Sequence, residues 1–293
     1  MSRILSLLTL VIAFTVAAQP KKYFAVESNE ACSKVHLTVG AKAGNYIIQP
    51  SKSADLINVY SNEIHGEGNY QLEERLIGEI QKIGLELFAE EERGLTRSIS
   101  RQVLGDAEKE DCFWKVYLTE KKPYRLDLDY AVGNASLDLS GLAIENLNVN
   151  TGSADVEISY NHEPNKLVMD TFHVNVDLGS LIVKHIAQAR SRFIDAEVGF
   201  GKLMLDFSDR PLVDTEVHGM VGAGNMIIQL PAHDVPVIVR VNDSWLSSVI
   251  IPDSFRPIGD HVFANPAYSK GKARTILFNL DVAMGRIILR ERD

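Results

Sequence analysis

The chain has 293 residues, of which 45% are hydrophobic and 24% charged, and it carries a net charge of −9. This is the composition of a globular protein with a sizeable core. The acidic balance excludes nucleic acid as a partner, because phosphates need a basic surface. It also argues against simple electrostatic docking on anionic lipid.

Residues 1–18 have the pattern of a secretory signal peptide. Arg3 supplies the positive charge, Ile4–Val16 is apolar, and small residues precede a cleavage point after Ala18. A membrane anchor is the weaker interpretation, since the apolar run is shorter than the ~20 residues that span a bilayer. We therefore expect an exported mature protein, periplasmic, cell-surface or secreted, without a transmembrane segment.

Residues 19–111 predict a smaller, β-rich N-terminal domain that ends in a mobile connector at Ser98–Glu110. Within it, Leu72–Glu92 is ambiguous. It carries a helical apolar stripe, but two glycines disfavour a helix, and alternation favours a strand at Ile80–Phe88. The other strands are predicted at Val35–Val39, Asn45–Ile48 and Leu56–Tyr60.

The chain has two cysteines, Cys32 and Cys112. In an oxidising compartment two cysteines can form one disulfide, which would tie the first strands to the start of the following region. Two separate buried thiols are an equally good interpretation.

Residues 112–293 predict a second domain built from short, regularly alternating strands. Tyr124–Tyr130 places leucines on one side and aspartates on the other, as a half-buried strand does. Similar runs continue to the end of the chain, separated by turns rich in Gly, Asn, Asp and Pro. They lie at Ala135–Leu139, Leu147–Asn150, Ala154–Ser159, Phe172–Val176, Leu181–Val183, Lys202–Phe207, Asn225–Leu230, Val235–Val241, Thr275–Asp281 and Gly285–Arg290.

A glycine-containing turn recurs before many of these strands. Such repetition predicts an all-β fold, a β-solenoid or ladder-like stacked sheet, although a β-sandwich also fits the strand spacing. We expect the glycines to provide corners with positive φ, and Gly222→Val to lower stability. The turn glycines are Gly133, Gly152, Gly179, Gly199, Gly222 and Gly285.

Carboxylates recur on the polar side of the strands. Paired carboxylates can bind calcium or perform acid–base catalysis on sugars, but a solvated strand face is the favoured interpretation. The residues concerned are Asp127, Asp129, Asp138, Asp155, Glu157, Asp170, Asp177 and Asp206.

No local motif assigns other chemistry. The histidines form no His-x-His or His-x-x-x-His pair, no Gly-x-Ser-x-Gly occurs, and the glycine pairs precede strands rather than helices. We therefore assign no catalytic, cofactor-binding or metal-binding residue. Aromatic residues that could form a sugar platform are scattered and suit core packing better: Trp114, Trp245, Tyr124, Tyr130, Tyr160 and Phe200.

The repeats resemble the bacterial toast-rack family. The similarity lies in YRLDLDYAVGNASLDLSGLAIENLNVNTGSADVEISY, VGAGNMIIQLP, SSVIIPDSF and AMGRIILR, and spans about Val116–Arg290. Relatives include the C-terminal domain of LiaF-type envelope stress regulators and adhesin-like β-solenoids. The resemblance implies a right-handed β-solenoid without catalytic residues. LiaF-type regulators carry transmembrane helices before this domain, whereas for this chain we expect a signal peptide.

We therefore expect an exported, non-enzymatic interaction or scaffold module of a bacterial envelope, connected with envelope stress or adhesion. Its partner would be an envelope protein or polysaccharide. The alternative is a glycan-binding protein or carbohydrate-active enzyme that uses a carboxylate-lined face.

Overall fold

The computed structural model describes residues 21–61, 70–88, 113–268 and 274–291. The predicted signal peptide, the connector Ser98–Glu110 and Cys112 lie outside these residues.

The N-terminal part of the described chain consists of strands. The described part of the ambiguous segment lies in a hairpin in which Gly78, at φ 61°, supplies the turn between two antiparallel strands. The strand predicted at Ile80–Phe88 is therefore confirmed, and the helical stripe is not used. The strands are β1 (Lys21–Val26), β2 (Lys34–Ser51), β3 (Ile57–Ser61), β4 (Tyr70–Ile77), β5 (Ile80–Leu87) and β6 (Phe113–Thr119).

In the rest of the described chain the regular secondary structure is also β, apart from one 3₁₀ turn at Ile186–Ala189. Two segments predicted as pairs of short strands are single long strands, β7 (Pro123–Asp138) and β8 (Ala143–Ser159). The remaining strands are β9 (Met169–Val176), β10 (Ser180–Lys184), β11 (Ser191–Val198), β12 (Lys202–Asp206), β13 (Thr215–Val221), β14 (Asn225–Gln229), β15 (Val237–Asp243), β16 (Ser248–Ile250), β17 (Arg256–Gly259), β18 (Val262–Ala264), β19 (Ile276–Val282) and β20 (Arg286–Arg290).

The described strands form one large mixed sheet with two rows of pairings. Row 1 runs β4-β5-β2-β7-β8-β9-β11-β13-β19-β15-β18-β17. Row 2 runs β1-β3-β6-β2-β7-β8-β10-β12-β14-β20-β16. The long strands β2, β7 and β8 pass through both rows. Elsewhere a row-1 strand is followed in the chain by its row-2 strand, and we call such a pair a rung.

The order of the rungs in space differs from their order in the chain. The rung β19–β20 lies between β13–β14 and β15–β16, and β2 lies between the pair β5 and β6 and its parallel neighbour β7. The strands left at the edges of row 1 carry protective residues. All four residues of β17 are exposed and one of them is Pro257, and β4 carries Glu73, Glu74 and Arg75.

A continuous core follows the rows because side chains alternate between the two faces of each strand. The inward positions are buried aliphatic and aromatic residues, each of which stabilises the fold by about 1.5–3 kcal/mol when fully buried. One such column along row 1 is Leu126, Leu147, Phe172, Ile194, Val217, Phe278 and Val239. Within the described residues, no helix has the length and apolar character needed to cross a membrane.

The predicted boundary at residue 111 separates segments that share this sheet. In the first segment, Val35 to Ile48 of β2 pair in parallel with Tyr124 to Leu137 of β7 in the second. The division into 19–111 and 112–293 therefore stays a prediction.

Candidate functional site

The two rows meet at a column of small residues on successive strands. Gly44 pairs with Gly133, and Gly133 pairs with Ala154. A Cβ on Gly179 would meet the carbonyl of Ala154, and the same conflict repeats from rung to rung. Glycine is needed here because the backbones of successive strands approach too closely for a side chain. The junction column is Gly44, Gly133, Ala154, Gly179, Gly201, Gly224 and Gly285.

Three of the predicted turn glycines, Gly133, Gly179 and Gly285, lie in this column. Each of the other three, Gly152, Gly199 and Gly222, lies two residues before the member of the junction column in its own turn. They are less crowded, because the nearest backbone atom to an added Cβ is 2.9 Å away at Gly152 and 3.1 Å away at the other two. The expected positive φ occurs at Gly133 (112°) and is wrong for the other five. Close packing of neighbouring backbones, rather than left-handed geometry, explains most of the pattern.

Exposed apolar side chains stand beside the junction column. Most are the residue immediately before a junction glycine, so they recur on neighbouring rungs. Phe200 is 72% exposed and Trp245 is 91% exposed. With ~4.8 Å between strands, the four steps from Leu178 to Leu246 cover about 19 Å. We call this surface the junction ridge: Val132, Leu178, Phe200, Met284, Trp245 and Leu246.

The surface next to the junction ridge carries two cations and a column of aliphatic side chains. Lys202 and Arg286 follow two of the junction glycines, are exposed, and form no ion pair within the described part of the chain. Further along row 2 lies a column of outward aliphatic residues in register: Ile182, Met204, Ile227, Ile288 and Ile250. Exposed carboxylates lie close by as well, since Asp177 immediately precedes Leu178 and Asp155 is in register with Ser180, the neighbour of Lys202.

The predicted carboxylate face is a set of local contacts. Asp127 pairs with His36, and Glu157 pairs with Lys184 at 2.7 Å. Asp206 accepts a hydrogen bond from the backbone N–H of Ser208 at 2.9 Å. Asp138 does the same for Ser140, Asp129 binds Asn150, Asp155 binds Ser180, Asp177 binds Asn175, and Asp170 lies near Arg192.

The aromatic candidates separate into two groups. Trp114, Tyr124, Tyr130 and Tyr160 are buried in the core, as the packing interpretation predicts, whereas Trp245 and Phe200 belong to the junction ridge. The signal for the ridge was present in the sequence as an apolar residue before successive glycines, in the dipeptides VG, LG, FG and MG. The ridge was not predicted because its residues lie in turns, outside the alternation of apolar and polar residues that identifies strands.

Sequence reasoning also missed an aromatic groove at the β3–β6 end of row 2. The rings of Tyr60 and Tyr117 are 5.4 Å apart in a T-shaped arrangement. Asn58 is 5% exposed and lines the groove, whose volume is about 470 Å³. Its described lining contains one carboxylate, Asp55. We call this site the tyrosine groove: Ser51, Ser53, Asp55, Asn58, Tyr60, Lys115 and Tyr117.

Cys32 is buried, and its sulfur lies 3.4 Å from the carbonyl oxygen of Lys34. Because Cys112 is outside the described residues, the disulfide between them stays a prediction.

Comparisons with known proteins identify similar solved structures and a matching family model. A candidate cell adhesion protein from Clostridium sporogenes has 17% identity, a TM-score of 0.43, and alignment over 94% of this chain and 100% of that one. A candidate adhesin from Bacteroides fragilis has 12% identity, a TM-score of 0.40, and alignment over 93% and 96%. No curated protein matches. Residues 89–180 match the family model described as the N-terminal domain of toast_rack, DUF2154. The chain therefore carries a toast-rack N-terminal domain at residues 89–180.

Proposed function

We propose that this protein is an exported, non-enzymatic β-solenoid that binds a partner protein of the bacterial envelope through the junction ridge. The observation that carries the proposal is the ridge itself. Large apolar side chains exposed on neighbouring rungs are unfavourable in water, and contiguous patches of this kind mark interaction sites. Phe200 and Trp245 are of the aromatic type that provides most of the binding energy in protein interfaces.

The charge beside the ridge indicates the chemistry of the partner. Lys202 and Arg286 lie next to the apolar side chains without an ion pair among the described residues. A partner segment that combines apolar and acidic side chains would bury the ridge and pair with both cations. Anionic lipid is the less favoured occupant, because the protein as a whole carries a charge of −9.

Export and the absence of catalysis are parts of the same proposal. The charged start, apolar run and small residues of positions 1–18 support export. The carboxylates that a carbohydrate-active enzyme would use for catalysis contact neighbouring side chains and backbone along the strands. These contacts support a structural role for them. The parallel register of successive rungs supports a solenoid.

A cross-linking pull-down with the mature chain, Gln19–Asp293, tests the proposal. Three baits are compared: the unaltered protein, the Phe200→Ser variant and the Ile77→Ser variant. Ile77→Ser is the matched control, because Ile77 is an apolar side chain that is 55% exposed on the edge strand β4. We expect the same envelope protein to be retained by the unaltered and Ile77→Ser baits and lost with Phe200→Ser. Equal retention by all three baits, or retention of lipid alone, would overturn the proposal.

The tyrosine groove favours glycan binding as a second candidate function. Sugars bind to aromatic rings and to hydrogen-bonding groups placed beside them, and the groove wall provides Asn58, a residue only 5% exposed. Titration with envelope polysaccharide fragments, followed by tyrosine fluorescence, tests this. Binding that Tyr117→Ala removes and Tyr268→Ala preserves would support it. No binding, or equal binding by both variants, would exclude the groove.

A further inference from the structure

Three potential metal ligands meet on the outward side of row 1, away from both the junction ridge and the tyrosine groove. His173 on β9 pairs in register with Asp195 on β11, and Glu197 follows Asp195 on the same face of that strand. The Nδ1 atom of His173 lies 3.0 Å from Oδ2 of Asp195. One ligand atom from each of the three residues lies within 4.8 Å of the other two.

This spacing suits a single ion. Zinc binds histidine nitrogen and carboxylate oxygen at about 2.0–2.2 Å, so two ligands of one ion stand at most about 4 Å apart. Small side-chain rotations therefore bring all three atoms onto a common centre. The side chains of His173 and Asp195 are 27% and 41% exposed, which leaves the centre open to solvent.

The surrounding charges favour a cation. Asp195 and Glu197 form no ion pair with lysine or arginine within the described residues, and Glu216 lies one strand further along, on β13. His218, also on β13, is in register with Asp195 but bonds to Glu216 at 3.1 Å. A row of imidazole and carboxylate groups across three strands carries negative charge that a bound cation would neutralise.

The geometry points to a divalent transition-metal site formed by His173, Asp195 and Glu197. A mixed nitrogen and oxygen ligand set selects ions of the zinc type over magnesium or calcium, which prefer oxygen alone. Binding of the metal at Nδ1 requires the neutral imidazole with its proton on Nε2, so the hydrogen bond between His173 and Asp195 would be replaced by one metal–ligand bond from each residue. This site is independent of the proposed binding through the junction ridge.

The site escaped local sequence motifs because its ligands come from two strands. The ligands His173 and Asp195 lie six positions before the junction glycines of their rungs, Gly179 and Gly201. His218, which is not a ligand, has the same position relative to Gly224. Alignment of the repeats on those glycines places the three residues in one column.

Isothermal titration of the untagged mature protein with ZnCl₂ and, separately, with MgCl₂ tests the site. The variants are His173→Gln and Glu197→Gln. The control is Asp209→Asn, which removes the carboxylate charge from a similar pair, His185 Nδ1 to Asp209 Oδ2 at 2.8 Å, for which no third ligand is found within the described residues. Circular dichroism establishes that each variant is folded.

We expect one Zn²⁺ per unaltered chain and no comparable binding of Mg²⁺. Each ligand variant should weaken zinc affinity at least about tenfold, since even groups that only support metal ligands typically contribute 10–100-fold. The Asp209→Asn variant should bind zinc with the affinity of the unaltered protein. Zinc should raise the melting temperature of Asp209→Asn but not that of His173→Gln. Absence of zinc binding by the unaltered protein, or equal affinity in every variant, would overturn the assignment.

Discussion

The carbonyl oxygen of Gly179 lies where a β-carbon on Gly201 would have to stand. The same relationship links Gly201 to Gly224 and Gly224 to Gly285. Each junction glycine thus allows the next strand to stack in register. At Gly133, Gly179, Gly201 and Gly285 the residue immediately before the glycine is exposed on the junction ridge. The close packing that stabilises the rungs also places the apolar side chains proposed to bind a partner.

Alanine in the junction column should destabilise the protein strongly. Gly201→Ala brings a methyl group against backbone that cannot move alone, and overpacking of this kind costs about 1–3 kcal/mol. Gly222→Ala is the matched control, because its added Cβ would stand 3.1 Å from the nearest backbone atom. Thermal denaturation should show a clear fall in Tm for Gly201→Ala and a smaller one for Gly222→Ala, with Gly222→Val between them. Equal melting temperatures would contradict the steric explanation.

Removing a tyrosine hydroxyl should have opposite effects at two buried positions. The hydroxyl of Tyr124 donates to the carbonyl of Leu56 at 2.7 Å and accepts from the N–H of Thr119 at 3.2 Å. The hydroxyl of Tyr160 is buried without a hydrogen-bond partner in the described structure. Because an unpaired buried polar group is costly, Tyr124→Phe should lose about 1–3 kcal/mol and Tyr160→Phe should lose nothing or gain stability. Urea denaturation of both variants measures this, and a larger loss for Tyr160→Phe would refute it.

Stability should fall in alkaline solution. Burial raises the pKa of Tyr124, Tyr130 and Tyr160 above the usual value of 10.0. The folded state therefore holds these groups neutral while the unfolded chain ionises them. Their contribution is complete below the unfolded pKa and is lost as pH rises above it, by about 1.4 kcal/mol per pH unit for each tyrosine. The urea midpoint measured on both sides of pH 10 should drop less steeply for Tyr160→Phe than for the unaltered protein.

A buried asparagine should stabilise one end of a strand. Asn165 accepts a hydrogen bond from the N–H of Ile144 at 2.8 Å and donates to the carbonyls of Ile144 at 2.7 Å and Leu167 at 3.0 Å. Asn165→Ala leaves these buried groups unpaired, so we expect a loss of about 3 kcal/mol in the free energy of unfolding. Asn150→Ala, which removes an exposed contact to Asp129, should change it by less than about 0.5 kcal/mol.

A thiol count decides the predicted disulfide. If Cys32 and Cys112 pair, the unreduced protein should show no reactive thiol after denaturation. Two reactive thiols would instead establish the alternative of separate cysteines. The count must be made in denaturant, because Cys32 is buried and would be shielded in the folded protein.

The alternation of Tyr124–Tyr130 was sufficient to predict both the strand and its buried face, because residues two apart on a strand share a side. It was harder to predict which glycine of each turn occupies the equivalent position in successive repeats. Choosing Gly199 and Gly222 instead of Gly201 and Gly224 shifts the alignment by two residues, and His173, Asp195 and His218 then no longer share a column.

By itself, the sequence determined the all-β class, most strand positions and the toast-rack resemblance, because these depend on patterns within a few residues. Only the tertiary structure decided that β19 and β20 insert before β15 and β16, and which residues become neighbours across rungs. The junction ridge, the tyrosine groove and the His173 cluster all arise from strand register. Register is set by packing between residues far apart in the chain, so the apolar residues before the glycines and the repeat positions of His173 and Asp195 form sites only when the strands are stacked.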